Sequence, residues 1–326
     1  MAKKFPKISI VTTFHRVLYN NPTQFYHDFN KVLELDYPDY EIIIVSDKKV
    51  NVKLPKARFV ITGKKLTGPG EKRDIAVPEA KGEIIAFIDD DAYPDRYWLR
   101  EAIKHFSDPL IGAVCGPGVT PPEDTFLQKI GGLTLQSEFC SGSTRHRFVP
   151  AQKGFVRDHP TYNFLVRKSL FLKIGGFKTT LWCGEDTKLC LSIINSGKKI
   201  LYVPEVVVYH HRREMPIGHL KQISNIGVHR GYFVKKYPKT SRELIYFLPS
   251  LFTILFLFAF LLSAFFAVLQ PYFIGGFILL LFIYFMNTIR ETDPISAVLV
   301  SFSIVLTHLV YGISFIKGLF SKNITR

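Results

Sequence analysis

Glu83-Ile84-Ile85-Ala86-Phe87-Ile88-Asp89-Asp90-Asp91-Ala92 is a run of apolar β-formers that ends in three carboxylates. An apolar run of this length predicts a buried strand. Acids at the carboxyl end of such a strand lie where open α/β sheets hold their ligands. Adjacent carboxylates repel one another, and a cation is the simplest way to keep them together. The stretch predicts a metal-assisted site, against the plainer alternative of a solvated turn.

The flanking sequence repeats the pattern. Ile8–Thr13, Tyr40–Asp47, Arg58–Thr62 and Ile111–Gly116 read as strands. Between them, Asn20–Leu35, Glu71–Ala80 and Tyr97–Phe106 read as helices, the first after a cap-like Asn21-Pro22 start. This alternation predicts a mostly parallel sheet covered by helices. Residues 117–182 are less regular and read as a substrate-facing insertion that includes a strand at 161–167. Gly175-Gly176 ends a short helix, Gly184-Glu185-Asp186 opens another, and strands follow at 200–203 and 206–209.

The chain has 326 residues, a net charge of +15 and 29 Phe, a balance that points to an anionic partner. From Lys198 to Glu243 there are ten Lys or Arg against three acids. From Leu244 to Ile289 there are 46 residues without a charge, and Pro294–Ile316 is a further apolar run. A membrane span takes about 20 residues. The first run is therefore two spans broken at Gln270-Pro271, and the second is a third span. The basic belt beside them, with Tyr232, Phe233, Tyr237 and Tyr246, suits anionic headgroups and the membrane interface. Nucleic acid would explain the charge but not the spans. Four cysteines with no CxxC pair predict neither zinc site nor disulfide framework. The N-terminal part lacks an apolar signal-peptide core and is expected to stay in the cytoplasm. No GxGxxG follows the first strand, and GxxxxGK[ST] and GxSxG are absent, which disfavours nicotinamide, P-loop and hydrolase-elbow enzymes.

In their order, five segments resemble family 2 glycosyltransferases of the inverting GT-A type. They are Ile10-Val11-Thr12-Thr13-Phe14-His15-Arg16, Glu41–Asp47, Glu71-Lys72-Arg73-Asp74 with Gly82-Glu83, Phe87–Asp91, and Gly175-Gly176-Phe177 followed by Gly184-Glu185-Asp186. The resemblance implies an α/β fold, a GT-A mostly parallel sheet flanked by helices, followed by an α-helical transmembrane region. The expected organisation is a catalytic domain at 1–215, a basic interface segment at 216–243 and a transmembrane region of two to three helices at 244–326. Ser46, Lys48-Lys49 and Asp74 depart from the family pattern. The Gln-x-x-Arg-Trp of processive synthases is missing, which argues against that type.

The resemblance implies a nucleotide-diphosphate sugar donor, held by Thr12, Thr13, Phe14, Asp47, Arg73, Asp89 and Asp90. Asp89 would bind the ribose or the water shell of a metal, and Asp90 is expected to tolerate substitution. Asp91 would hold Mg²⁺ or Mn²⁺, which favour oxygen ligands, and His210 or His211 would complete the shell. Arg212, Arg213 and Arg230 are candidates for the diphosphate or for headgroups. Asp186 is the candidate general base. Glu185, Trp182 and Asn163 would shape the acceptor side. The expected acceptor is lipid-linked or a growing glycan, with membrane lipid as a further partner, and the chain is placed in the cell membrane with its catalytic domain cytoplasmic. A nucleotidyl- or phosphotransferase, or a non-catalytic membrane scaffold, are the alternatives.

Overall fold

The computed structural model describes residues 5–14, 22–49, 53–64, 66–179 and 181–324. The His15-Arg16 turn and the Asn20-Asn21 helix start lie outside the described residues. In chain order the elements begin β1 (Ile8–Thr13), α1 (Pro22–Leu33), β2 (Tyr40–Ser46), β3 (Ala57–Ile61) and α2 (Pro69–Glu79). They continue with β4 (Ile84–Asp89), β5 (Ala92–Pro94), α3 (Trp98–Ile103), β6 (Ile111–Cys115), β7 (Gly118–Val119) and α4 (Phe126–Gln136). Next come β8 (Gly154–Val156), β9 (Asn163–Arg167), α5 (Lys168–Ile174), α6 (Glu185–Asn195), β10 (Lys199–Tyr202) and β11 (Val208–His210). The last four long helices are α7 (Ile217–Lys236), α8 (Leu248–Phe265), α9 (Gln270–Thr288) and α10 (Pro294–Phe320).

The chain forms two compact units. One comprises Met1–Pro121 with Val149–His211, and the other comprises Pro122–Phe148 with Arg212–Thr325.

The first unit is built on an eight-stranded sheet in the order β3-β2-β1-β4-β9-β6-β10-β8. β1 lies parallel between β2 and β4, and β6 is parallel to β10. β9 runs antiparallel to both β4 and β6, and β8 antiparallel to β10, while the other six strands share one direction, so the sheet is mostly parallel as expected. The register explains the reversal. Asn163, the first residue of β9, pairs with Ile88 near the carboxyl end of β4, so the chain enters β9 from that end.

The opening stretch is apolar on successive residues because both faces of β4 are covered. Ile84, Ala86 and Ile88 join a core with Phe25, Phe29, Trp98 and Leu99 from α1 and α3. Ile85 and Phe87 join the opposite core with Ala76, Val77, Phe171, Leu189 and Ile193 from α2, α5 and α6. A small second sheet in the order β5-β11-β7 pairs His210 with Ala92, one residue past the acidic triplet.

In the second unit three helical segments, Leu244–Phe265, Ala267–Thr288 and Pro294–Phe320, are long and apolar enough to cross a membrane. The third is more than half buried within the protein, whereas the first two bury only a small share of their surface. Part of the irregular 117–182 stretch packs here rather than on the sheet. Thr125 and Gln128 form a capping box that starts α4, and Ile130 joins Met215, Val300 and Ile304 in one cluster. α7 lies against α10 at very short range. A methyl group on Gly231 would collide with the Phe315 carbonyl, and one on Gly318 with the Val228 carbonyl. Ser224 and Ser314 hydroxyls meet beside this contact at 2.9 Å. Small residues that let backbones approach are a common device for helix pairs in membranes. Phe233 and Tyr246, expected at a membrane interface, are buried inside this unit.

Gly318→Ala is expected to cost about 1–3 kcal/mol through overpacking and to lower the melting temperature in detergent. Gly275→Ala, where no atom lies within 4 Å of the added carbon, is expected not to lower it. Thermal unfolding of both variants checks this.

Candidate active site

The sheet register sets the ends of three strands level. Thr13 of β1 pairs with Val45 of β2 on one side and with Asp89 of β4 on the other. Thr12, Thr13, Phe14, Asp47, Asp89 and Asp91 therefore gather at one edge, and β9 and β11 add Asn163 and His210 there.

Asp47 is held by three donors. Thr62 Oγ1 lies 2.9 Å from Oδ1, while Thr67 N at 3.3 Å and Lys72 Nζ at 3.2 Å approach Oδ2. Burial opposes ionisation of Asp47, but these hydrogen bonds and the ammonium outweigh it, and its pKa falls below the usual value. Lys72 is itself buried and donates to the Phe14 carbonyl at 2.6 Å. The Phe14 ring is buried edge-on against Phe25 at 4.8 Å, so Phe14 presents backbone to this edge. Thr12 Oγ1 is buried with no hydrogen-bond partner among the described residues.

The triplet divides. Asp89, Asp91 and His210 each offer one ligand atom, all within 4.8 Å of one another. His210 Nε2 lies 3.1 Å from Asp91 Oδ1, and its ring stacks on Tyr162 with centroids 4.7 Å apart. His210 Nδ1 is buried and has no partner among the described residues. Asp90, partly exposed, is not in the cluster. His211 follows His210 on an extended backbone and turns to the other side. Its Nε2 lies 3.3 Å from the buried Asp28 of α1, and its N–H donates to the Asp91 carbonyl.

Arg73, on α2, sits between this cluster and the start of α6. It is 2% exposed, with its guanidinium over the Phe87 and Phe177 rings. Nη2 lies 2.5 Å from Asp89 Oδ1, and Nη1 donates to Thr161 Oγ1 at 2.6 Å. Nη1 is also 3.8 Å from Glu185 and 4.0 Å from Asp186. Thr161 donates in turn to Asp186 Oδ1 at 2.5 Å. Gly184, in a left-handed conformation with φ of 85°, starts α6 so that both acids fall in its first turn. Burial is the main force raising both carboxyl pKa values. The Asp186 charge adds to the rise at Glu185, and Asp89 and Asp158 add to it at Asp186. Arg73 opposes the rise at both.

Asp74, one residue on, has a structural task. Its oxygens accept from the N–H groups of Phe177 at 2.8 Å and Lys178 at 2.9 Å. Gly176, with φ of 69°, brings that turn so close that any side chain would strike Asp74. Trp182 lies by the start of α2, with Nε1 3.2 Å from where a side chain on Gly68 would begin.

Other expected residues are engaged elsewhere. Asn163 is fully buried, accepts from Trp98 Nε1 at 2.8 Å, and donates to the carbonyls of Pro117 and Val206. These bonds lock strand ends together and take it out of an acceptor-contact role. Arg212, in the second unit, is buried with its guanidinium over Phe148 at 5.3 Å. Arg230 lies over Tyr246 at 4.3 Å and points to Thr240 and Ser241. Lys72 and Thr161 were not singled out in the sequence. The signal for Lys72 is its place beside Arg73 on the helix face that meets the strand ends. Thr161 carries no signal of its own.

Residues 17–175 match the family model described as glycosyl transferase family 2. A "Pre-mycofactocin glycosyltransferase" of Mycobacterium tuberculosis is 28% identical over 146 residues, covering 45% of this chain and 30% of that protein. The "O-antigen chain rhamnosyltransferase RfbN" of Salmonella typhimurium is 26% identical over 202 residues, covering 59% of this chain and 63% of that one. The chain thus spans less than two thirds of the length of these relatives. Among solved structures, the mannosyltransferase PcManGT from Pyrobaculum calidifontis, in complex with GDP-Man and Mn²⁺, superposes with a TM-score of 0.59 at 16% identity. That match covers 98% of this chain and 89% of that one. The likeness is one of fold: the GT-A sheet with flanking helices, followed by apolar C-terminal helices.

A raised pKa keeps Asp186 protonated further up the pH scale, and a protonated carboxyl cannot accept a proton. With Asp186 as the proton acceptor proposed below, the acid limb of kcat is expected above the ordinary Asp range of about 3.9. Arg73 lowers the Asp186 pKa. Arg73→Gln is expected to move the limb to still higher pH, as pH–rate profiles of the two proteins would show.

Proposed function

We propose that this chain, which carries a glycosyl transferase family 2 domain, is a membrane-anchored inverting glycosyltransferase. It moves a sugar from a nucleotide-diphosphate donor to a lipid-linked or glycan acceptor. The observation that carries the proposal is the arrangement of Asp89, Asp91 and His210 across Arg73 from Asp186. A cation-binding end at the strand edge and a candidate base at the start of α6 flank one guanidinium.

Two carboxylates and an imidazole converging within 4.8 Å fit a divalent ion such as Mg²⁺ or Mn²⁺, and the orphaned His210 Nδ1 is consistent with a polar group still to be met there. Asp89, Asp91 and His210 would hold it. When bound, the ion supplies positive charge against the diphosphate leaving group. Asp47, fixed by Thr62, Thr67 and Lys72, accepts from N–H groups of the nucleobase. The backbone at Thr12–Phe14 borders the nucleoside. Asp186 takes the proton from the acceptor hydroxyl as that oxygen attacks the anomeric carbon. The bond to the diphosphate breaks on the opposite side, and configuration inverts. Glu185 and Trp182 flank the acceptor. The apolar helices hold the unit at the bilayer, and the basic residues of 198–243 favour the cytoplasmic side.

Purified protein with Mn²⁺ and a panel of sugar nucleotides is expected to release nucleoside diphosphate, and chelation by EDTA to abolish release. Asp91→Ala and Asp186→Asn are each expected to lower turnover by about 100-fold or more, the scale of general-base loss, with folding intact. Pyrophosphate as the product would instead indicate nucleotidyl transfer. Wild-type rates in both variants would refute the assignment.

A further inference from the structure

We infer that Thr161 is a positioning residue for the base, an inference that rests on the reading of Asp186 above. Thr161 lies just before β9 and is 2% exposed. Its Oγ1 is 2.6 Å from Arg73 Nη1 and 2.5 Å from Asp186 Oδ1. A guanidinium has only donors, and a hydroxyl has a single proton. Thr161 therefore accepts from Arg73, and its proton points at Asp186. The direction of this relay is fixed from the Arg73 end. Arg73 is in turn fixed by Asp89 and by the two phenylalanine rings it covers.

The relay does two things. It holds the Asp186 carboxylate in one orientation through the bond to Oδ1. It also joins the base to Asp89, so the cation-binding end and the proton-accepting end are held by one chain of hydrogen bonds, Asp89–Arg73–Thr161–Asp186. Glu185 and Asp158 are the other acids that bear on this group, and neither is hydrogen-bonded to Thr161. Asp158 is placed on Thr187 of α6. Among the described residues, Thr161 is thus the neutral link in the chain of hydrogen bonds between the two ends. In transfer to water the anomeric C–O bond to the diphosphate breaks, a C–O bond to the water oxygen forms, and the water proton passes to Asp186.

The test is sugar-nucleotide hydrolysis by the full chain in detergent with Mn²⁺, using UDP-, GDP- and dTDP-sugars and following nucleoside diphosphate release. Thr161→Val keeps the shape and removes the hydroxyl. It is expected to lower kcat by about 10- to 100-fold, the scale of a misplaced catalytic group, with donor KM unchanged. Thr161→Ser keeps the hydroxyl and is expected to recover most of kcat. The inference is overturned if Thr161→Val turns over at the wild-type rate. It is also overturned if the Val and Ser variants lose kcat equally and melt at lower temperature, the pattern of a packing defect. Asp186→Asn separates the two readings. If it is inactive while Thr161→Val is fully active, only the role of Thr161 falls. If it turns over at the wild-type rate, the base assignment falls and this inference with it.

Discussion

Arg73 is the charge on which the site depends. One buried guanidinium stands among Asp89, Glu185 and Asp186, with the Phe87 and Phe177 rings against its face. A single cation cannot neutralise three carboxylates in a poorly solvated place. The surplus negative charge has two consequences. It adds to the burial that chiefly raises the pKa of the two acids at the start of α6, and under the proposed function it suits the Asp89–Asp91–His210 end to a divalent ion.

The scaffold keeps that balance rigid. β1, β2 and β4 are buried on both faces, so their carboxyl ends cannot slip without breaking two cores at once. β9 enters from the same end, which is how Thr161 and Asn163 reach the strand edge. Asp74 clamps the Gly175-Gly176-Phe177 turn that leads into the Trp182–Asp186 segment. In the second unit, small residues on α7 and α10 do comparable work by letting two backbones touch.

Much of this was readable from residue order. The apolar runs at 8–13, 40–46 and 84–89 became central strands because buried strands need no alternation. Asp89 and Asp91 lie close to His210, and the apolar C-terminal runs became helices long enough to span a bilayer. What was not readable depends on side-chain direction and on long-range pairing. His210 and His211 were equivalent in the sequence, and strand alternation sends one to Asp91 and the other to Asp28. Asn163 looked like a polar contact, yet its bonds to Trp98 of α3 and to the carbonyls of Pro117 and Val206 engage it inside the protein. The reversal of β9 and the docking of 122–148 with the C-terminal helices come from chain routing that no local pattern records. Lys72 and Thr161 are ordinary residues made important by burial beside charge.

The proposed reaction is a single displacement driven by one base, Asp186, with no covalent sugar–enzyme intermediate. Proton NMR of the sugar released at early times from an α-linked sugar nucleotide, before mutarotation, tests it most directly. A single displacement gives the β anomer as the first product. The α anomer, formed with retention, would contradict it.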